Sequence, residues 1–328
     1  MKITPQPSPP AMPISAAPRS TYIATSEGLT QKKRKPNFSF SKIGIVGFKA
    51  KSSELQAALE VIAKWAFTHK SVRFYAMESL RTLVQKPIRV VSERTMRSVD
   101  LIIAIGGDGT VLSSARLVLG TSVPILGVNA GKVGFLAETR VEELPEILDA
   151  LQAGHFTTRE RIMMNAKIYG KNGKLLFSET VLNEVHVRAD GPERMVNLNV
   201  DYNGAHLTEY WADSLLISTP TGSTAYNLAA GGPIVHPMAP VFVLTPLAPS
   251  SLSVRPLVIP SNAKCTIASA VEVSLRLVFD GRISYTLQPG ETIELSKSEA
   301  VTTFIRMQHG FMDALREKLG WTGKPKLI

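Results

Sequence analysis

The stretch Leu101-Ile102-Ile103-Ala104-Ile105-Gly106-Gly107-Asp108-Gly109-Thr110-Val111-Leu112 decides the fold class. A short apolar run rich in β-branched residues reads as a buried strand, and it ends in three glycines and an acid. A helical spacing of apolar residues follows from about Val111 to Val118. The same rhythm surrounds it. Ile43-Gly44-Ile45-Val46-Gly47-Phe48 leads into a helix-like stretch from Ser53 to about His69; a strand near Val72 to Tyr75, a helix-like stretch from Met77 and a strand at Val123 to Val128 complete the series. Strands alternating with helices imply a parallel sheet covered on both faces.

After about Arg161 the period changes to two. Ala166 to Gly170 and Leu175 to Glu179 flank Lys171-Asn172-Gly173-Lys174, a hairpin in which Asn-Gly supplies positive φ angles. Further strands are expected near Val181 to Val187, Val196 to Tyr202, Leu215 to Ser218, Phe242 to Thr245, Leu257 to Ile259, Leu275 to Phe279 and Thr292 to Leu295. A C-terminal helix from Phe311 to Leu319 is expected to stop at Gly320. The chain therefore divides into a basic tail (1–42), an α/β domain (43–160), a β-rich domain (161–305) and a C-terminal helix and tail (306–328).

The 328 residues are 44% hydrophobic and 20% charged, a soluble globular composition. One cysteine, Cys265, excludes an intrachain disulfide and reads as a small buried residue in a reducing compartment. No apolar run reaches the roughly 18–20 residues of a membrane span, and no signal-peptide pattern opens the chain, so a cytoplasmic protein without a membrane partner is expected. The net charge of +10 is uneven: residues 1–42 hold seven basic residues and one acid, including Lys32-Lys33-Arg34-Lys35, and so carry +6 of it. The rest is only modestly basic, and no nucleic-acid-binding pattern accompanies the cluster, so a nucleic-acid partner is not expected. The six histidines show no metal-ligand spacing.

Three segments carry candidate chemistry. Glycines 106, 107 and 109 allow backbone to approach a ligand, and amides at a helix N-terminus suit phosphate. Asp108 would repel phosphate, so it is read as a holder of Mg²⁺, as an acceptor of a hydroxyl proton, or as a plain helix cap. The second segment, Gly127-Val128-Asn129-Ala130-Gly131-Lys132-Val133-Gly134-Phe135-Leu136, also follows a strand, on the side where open α/β sheets bind ligands. The third, Asp213 to Ser218 followed by Thr219-Pro220-Thr221-Gly222-Ser223-Thr224-Ala225-Tyr226 and Gly231-Gly232-Pro233, has more hydroxyls than capping needs; it suits a ligand with many polar groups and a flat ring.

Taken with Asn183-Glu184, Arg255-Pro256 and Phe279-Asp280-Gly281, these segments resemble the NAD kinases over about residues 43–320. The resemblance implies a Rossmann-like parallel-sheet domain followed by a β-sandwich-like domain, and phosphorylation of the 2′-hydroxyl of the adenosine ribose of NAD to NADP. It implies ATP or polyphosphate as donor with Mg²⁺, and a homodimer or homotetramer. It makes Asp108 catalytic, with Gly106 and Gly107 at the donor phosphates. It assigns NAD to Gly109, Phe135, Asn183, Glu184, Asp213, Thr221, Thr224, Ala225 and Tyr226, with Asp213 acting at the nicotinamide end across a subunit contact; no metal ligand is assigned. Ser214, Ser250 and Lys132-Val133 depart from the family pattern. The Gly-Gly-Asp-Gly loop alone is shared with lipid and sugar kinases, so these are the alternative enzymes; a nucleotide-binding regulator is the alternative non-enzyme.

Overall fold

Apolar runs of four to six residues become strands where glycine or proline prevents the run from continuing as a helix. The computed structural model describes residues 40–48, 53–131, 134–191, 195–307 and 310–320; most of the basic tail, Lys132-Val133 and His309 lie outside them. The first half runs β1 (Lys42–Val46), α1 (Ser53–Thr68), β2 (Arg73–Ala76), β3 (Arg89–Val90), α2 (Glu93–Met96), β4 (Leu101–Gly106), α3 (Asp108–Leu117), β5 (Ile125–Asn129), β6 (Thr139–Arg140) and α4 (Leu144–Gln152). The strands pair in parallel in the order β3-β2-β1-β4-β5-β6. Leu55, Leu59 and Ile62 of α1 and Leu144, Leu148 and Leu151 of α4 cover one face, and Val111 and Ala115 of α3 cover the other. The fold reaches into the stretch assigned to the tail: Phe40 is buried against Phe156, and Lys42 opens β1.

Two local expectations are corrected. The stretch from Met77 forms a 3₁₀ turn, Glu78–Leu80, and then a second turn in which the Leu83 and Val84 amides bond the Leu80 carbonyl, instead of a helix; Pro87, with no N–H to donate, cannot extend these turns into a longer helix. The helix expected from Val111 starts at Asp108, because Gly107 is extended and turns the chain directly into the first helical residue.

The second half runs β7 (Thr157–Tyr169), β8 (Leu175–Val181), β9 (Glu184–Ala189), β10 (Val196–Tyr202), β11 (Ala205–Ala212), β12 (Ser214–Ser218), α5 (Tyr226–Ala229), β13 (Val241–Leu247), β14 (Leu257–Pro260), β15 (Cys265–Ser269), β16 (Leu275–Phe279), β17 (Ile283–Leu287), β18 (Thr292–Arg306) and α6 (Phe311–Leu319). In the β7–β8 hairpin only Gly173 takes a positive φ, while Asn172 accepts the Lys174 amide through its side chain. Gly320 takes the left-handed conformation that closes α6. A six-stranded antiparallel sheet, β14-β13-β12-β9-β16-β17, faces β7, β10, β15 and β18 across a core of Val185, Leu215, Leu244 and Phe279 against Ile168, Leu198, Ile267 and Ile293. Cys265 lies in that core, and burial pushes its thiol up to about 12.

The 15-residue β18 ties the halves together. It pairs antiparallel with β7 along most of its length and with β15 at its start, then lies parallel to β5 at Phe304↔Ile125. One twelve-stranded sheet thus runs from the parallel half into the sandwich. Phe304 is buried at this junction beside Val111 and Leu182. Phe304→Ala is expected to cost about 3–5 kcal/mol in urea unfolding, the usual price of removing a buried aromatic ring.

Candidate active site

Helix α3 starts after its N-cap, Gly107, with Asp108 as the first residue. Its carboxylate crosses to the second glycine-rich segment and accepts three consecutive amides: Phe135 N–H on Oδ2 at 2.8 Å, and Leu136 and Ala137 N–H on Oδ1 at 2.9 and 3.3 Å. This settles why Gly134 precedes Phe135, since a Cβ at Gly134 would overlap Asp108 Oδ1. Gly106 is likewise required by the fold: its φ is +154° and a Cβ would strike the Thr110 hydroxyl. Gly107 differs, because a Cβ there would meet nothing within 4 Å, and at Gly109 it would meet only Arg282 Nη2. These two positions leave the front of the loop open.

A second aspartate repeats the device. Asp280 accepts Leu182 N–H on Oδ2 at 2.9 Å, and Asn183 and Glu184 N–H on Oδ1 at 2.8 and 3.2 Å. It can do so because Asp280 and Gly281 both take positive φ in the turn between β16 and β17, as an Asp-Gly hairpin turn requires. Arg282 leaves the same turn and donates to the Gly109 carbonyl at 2.7 Å and to the Ser113 hydroxyl. Leu182 packs with Val111 and Ala115 of α3. The turn 280–282 therefore joins the Gly-Gly-Asp-Gly loop to the Asn183-Glu184 pair.

The third segment leaves β12 at Ser218 and forms a 3₁₀ turn, Gly222–Thr224, before α5. Thr219 N–H bonds the Asn183 carbonyl at 2.8 Å, and a Cβ at Gly222 would overlap that same carbonyl. Asn227, fully buried, donates to the Ser223 and Pro233 carbonyls and accepts from Thr245 Oγ1 at 2.6 Å, which sets the course of the segment. Thr221 is thereby brought to the Asn183-Glu184 turn. Asn183 Oδ1, Glu184 Oε2 and Thr221 Oγ1 are buried without hydrogen-bond partners, as is Asn129 Oδ1 opposite Gly106 in the β4–β5 register. An unmet buried polar group costs about 1–3 kcal/mol, so such atoms gathered in two adjoining turns mark a place built for a polar ligand.

The electrostatics follow from burial. Glu184 is pushed up to about 8 by desolvation and by the neighbouring Asp280. Asp280 is also raised by burial, opposed by its three amide donors. Since those amides stabilise the Asp280 anion and Glu184 Oε2 has no donor, Glu184 is the one of the two that keeps its proton near neutral pH. His186 lies two residues along β9, on the same strand face as Glu184, with its ring edge-on to Tyr226 at 5.3 Å between centroids. Burial and Arg188 hold it down to about 4, so it is a neutral imidazole. Nothing in the histidine spacing pointed to it; the alternation along β9 is the signal that finds it.

The family model described as ATP-NAD kinase N-terminal domain matches residues 35–156, and that of the ATP-NAD kinase C-terminal domain matches residues 182–307. The chain belongs to the NAD kinase family. The NAD kinase of Desulfatibacillum aliphaticivorans is 39% identical over 224 residues, covering 68% of this chain and 78% of that one. The Moorella thermoacetica NAD kinase is 36% identical over 282 residues, 85% of this chain and 89% of its own length. Among solved structures, yeast NADH kinase complexed with NADH superposes with a TM-score of 0.80 at 22% identity, covering 89% of this chain and 91% of that one. An Archaeoglobus fulgidus NAD kinase in complex with ATP gives 0.63 at 23%, covering 85% and 97%. The match to the NAD kinase family spans both halves of the chain and is not confined to the Gly-Gly-Asp-Gly loop.

Not every residue assigned from the family sequence pattern meets the others within this chain. Asp213 is exposed and precedes β12, whereas Thr221 to Tyr226 follow its other end. Ser214, where NAD kinases commonly have glycine, is buried between β9 and β13. Among the described residues no group of three His, Cys, Asp or Glu side chains could hold a metal ion, and none of the helices is long and apolar enough to cross a membrane.

Glu184 gives a test of the site's electrostatics. The unfolded chain releases its proton near pH 4.5 while the folded chain retains it to about 8, so stability falls as pH rises through that window. Glu184→Gln removes this slope: its melting temperature is expected to match wild type near pH 4.5 and to exceed it by about 7–9 °C at pH 8.

Proposed function

We propose that this protein transfers the terminal phosphoryl group of ATP to the 2′-hydroxyl of the adenosine ribose of NAD, forming NADP. Family membership supplies the reaction class. The observation that carries the residue-level reading is the joining, through the turn 280–282, of the clamped Asp108 to the unpartnered polar atoms of Asn183, Glu184 and Thr221.

A carboxylate offers about four lone pairs, and three amides occupy two on Oδ1 and one on Oδ2. The remaining one, on Oδ2, is the acceptor for the ribose hydroxyl. As the ribose oxygen bonds to the phosphorus and the bond to the leaving ADP oxygen breaks, the hydroxyl proton passes to Asp108 Oδ2. Such a transfer depends chiefly on positioning and on neutralising charge. The amide clamp supplies positioning, since the carboxylate cannot rotate without breaking three bonds. Asn183, protonated Glu184 and Thr221 would bind the ribose and the adenine edge, with Thr224, Ala225, Tyr226 and Phe135 along the ring. Gly107 and Gly109 would leave space for the donor phosphates, as their open surroundings allow.

Mg²⁺ would neutralise phosphate charge when bound. The residues fit an ion carried mainly by the donor's phosphate oxygens, since Mg²⁺ commonly uses only one or two protein carboxylates at such sites. The similar yeast NADH kinase is complexed with NADH and the similar Archaeoglobus fulgidus NAD kinase with ATP, which supports both substrate classes. Asp213 would complete the nicotinamide end of a second copy's site in a homo-oligomer. A cytoplasmic location belongs to the same proposal and rests on the single buried cysteine.

The deciding assay follows NADP formation by purified protein from NAD, ATP and Mg²⁺; no NADP would contradict the reading. Asp108→Asn replaces the free acceptor with an amide and turns an N–H against that of Phe135. Turnover is expected to fall by about 10²–10⁴, the range for loss of an acid–base group, while NAD binding by calorimetry stays within about fivefold of wild type. Near-normal turnover would remove Asp108 from the reaction.

A further inference from the structure

Helix α6 packs through Phe311, Ala314 and Leu315, with Phe311 edge-on to His236 at 5.5 Å and Ala314 and Leu315 buried. These residues, at spacings of three and four, define one face, and the next position on it is Lys318. Met312, Arg316 and Glu317 point to solvent. A lysine thus occupies the inward stripe where an apolar residue would pack. Its Nζ lies 3.7 Å from the centroid of the Phe135 ring, and Phe135 is the residue whose amide is held by Asp108 Oδ2.

A ring face answers part of the ammonium charge but accepts little from its three N–H donors. No hydrogen bond or ion pair joins Lys318 to another described residue. Burial pushes its pKa down, opposed by the charges of Asp108 and Glu138, which therefore face it from outside α6. A half-buried cation beside the phosphoryl-transfer carboxylate, with donors to spare, has the chemistry of a phosphate ligand.

We propose that Lys318 is a substrate-contacting residue, its ammonium binding the oxygens of the transferring phosphoryl group beside Asp108, so that α6 completes the donor side of the site. This rests on the kinase reading above. The lysine exchanges no proton; its hydrogen bonds strengthen as charge redistributes over the phosphoryl oxygens. The effect should fall on turnover and donor affinity, and not on NAD affinity. Arginine would preserve part of it.

The test compares wild type, Lys318→Met, Lys318→Gln and Lys318→Arg in the NADP-forming assay with ATP and Mg²⁺, together with thermal unfolding. Methionine keeps length and packing while removing charge. Lys318→Met is expected to lower kcat by about 10²–10³, as loss of one transition-state donor does elsewhere. Its KM for NAD should remain within threefold and its melting temperature close to wild type, with Lys318→Arg recovering at least tenfold of the loss. A Lys318→Met kcat within threefold of wild type would overturn the proposal, as would equal losses in the methionine and arginine variants. Should Lys318→Met fail to fold, Lys318→Gln replaces it, and equal turnover in the glutamine and arginine variants overturns the proposal. Wild type that forms no NADP would instead overturn the kinase reading itself.

Discussion

A carboxylate that accepts three successive backbone amides is the constraint on which this site depends, and the protein uses it twice. Asp108 holds Phe135, Leu136 and Ala137; Asp280 holds Leu182, Asn183 and Glu184. Hydrogen bonds to a charged acceptor are roughly twice as strong as neutral ones, and three on one group fix its plane as well as its place. Each clamp turns an irregular segment into a defined one without a helix or a ladder. The cost is local: Gly134 must lack a side chain, and Asp280 must sit at a positive φ.

The two clamps give their neighbours different chemistry. Asp108 is partly exposed, and its three amides leave one lone pair of the carboxylate unused. Asp280 is buried, and its charge together with desolvation keeps Glu184 protonated. One aspartate therefore offers an acceptor, whereas the other converts a neighbouring carboxylate into a potential donor. Arg282, bonded to the Gly109 carbonyl, carries the position of one clamp to the other.

Local signals made much of this legible. The strand-glycine-helix rhythm marked the parallel half, alternation marked the sandwich, and Gly320 marked the end of α6. The motifs also located the clamped segments, because glycines and short polar residues are what close backbone approach requires. What stayed hidden was non-local. β18 continues into the parallel sheet through a pairing with β5, and no local pattern announces a strand's partner. The Met77 stretch had apolar spacing, but it closes as two short turns ahead of Pro87. Asp108 read as catalyst, metal holder or cap because its amide partners lie 27 to 29 residues away. Lys318 escaped notice because a lysine in a terminal helix ordinarily faces water, and only the packing of Phe311, Ala314 and Leu315 turns it inward.

The most direct measurement of the double clamp is amide hydrogen exchange, residue by residue, on the ligand-free protein. The account predicts that the amides of Phe135, Leu136 and Ala137, and of Leu182, Asn183 and Glu184, exchange at least about 10²-fold more slowly than unstructured backbone, despite lying mostly outside regular ladders. Asp280→Asn should speed exchange at 182–184 and leave 135–137 slow. Exchange of all six at the rate of an open loop would contradict the account.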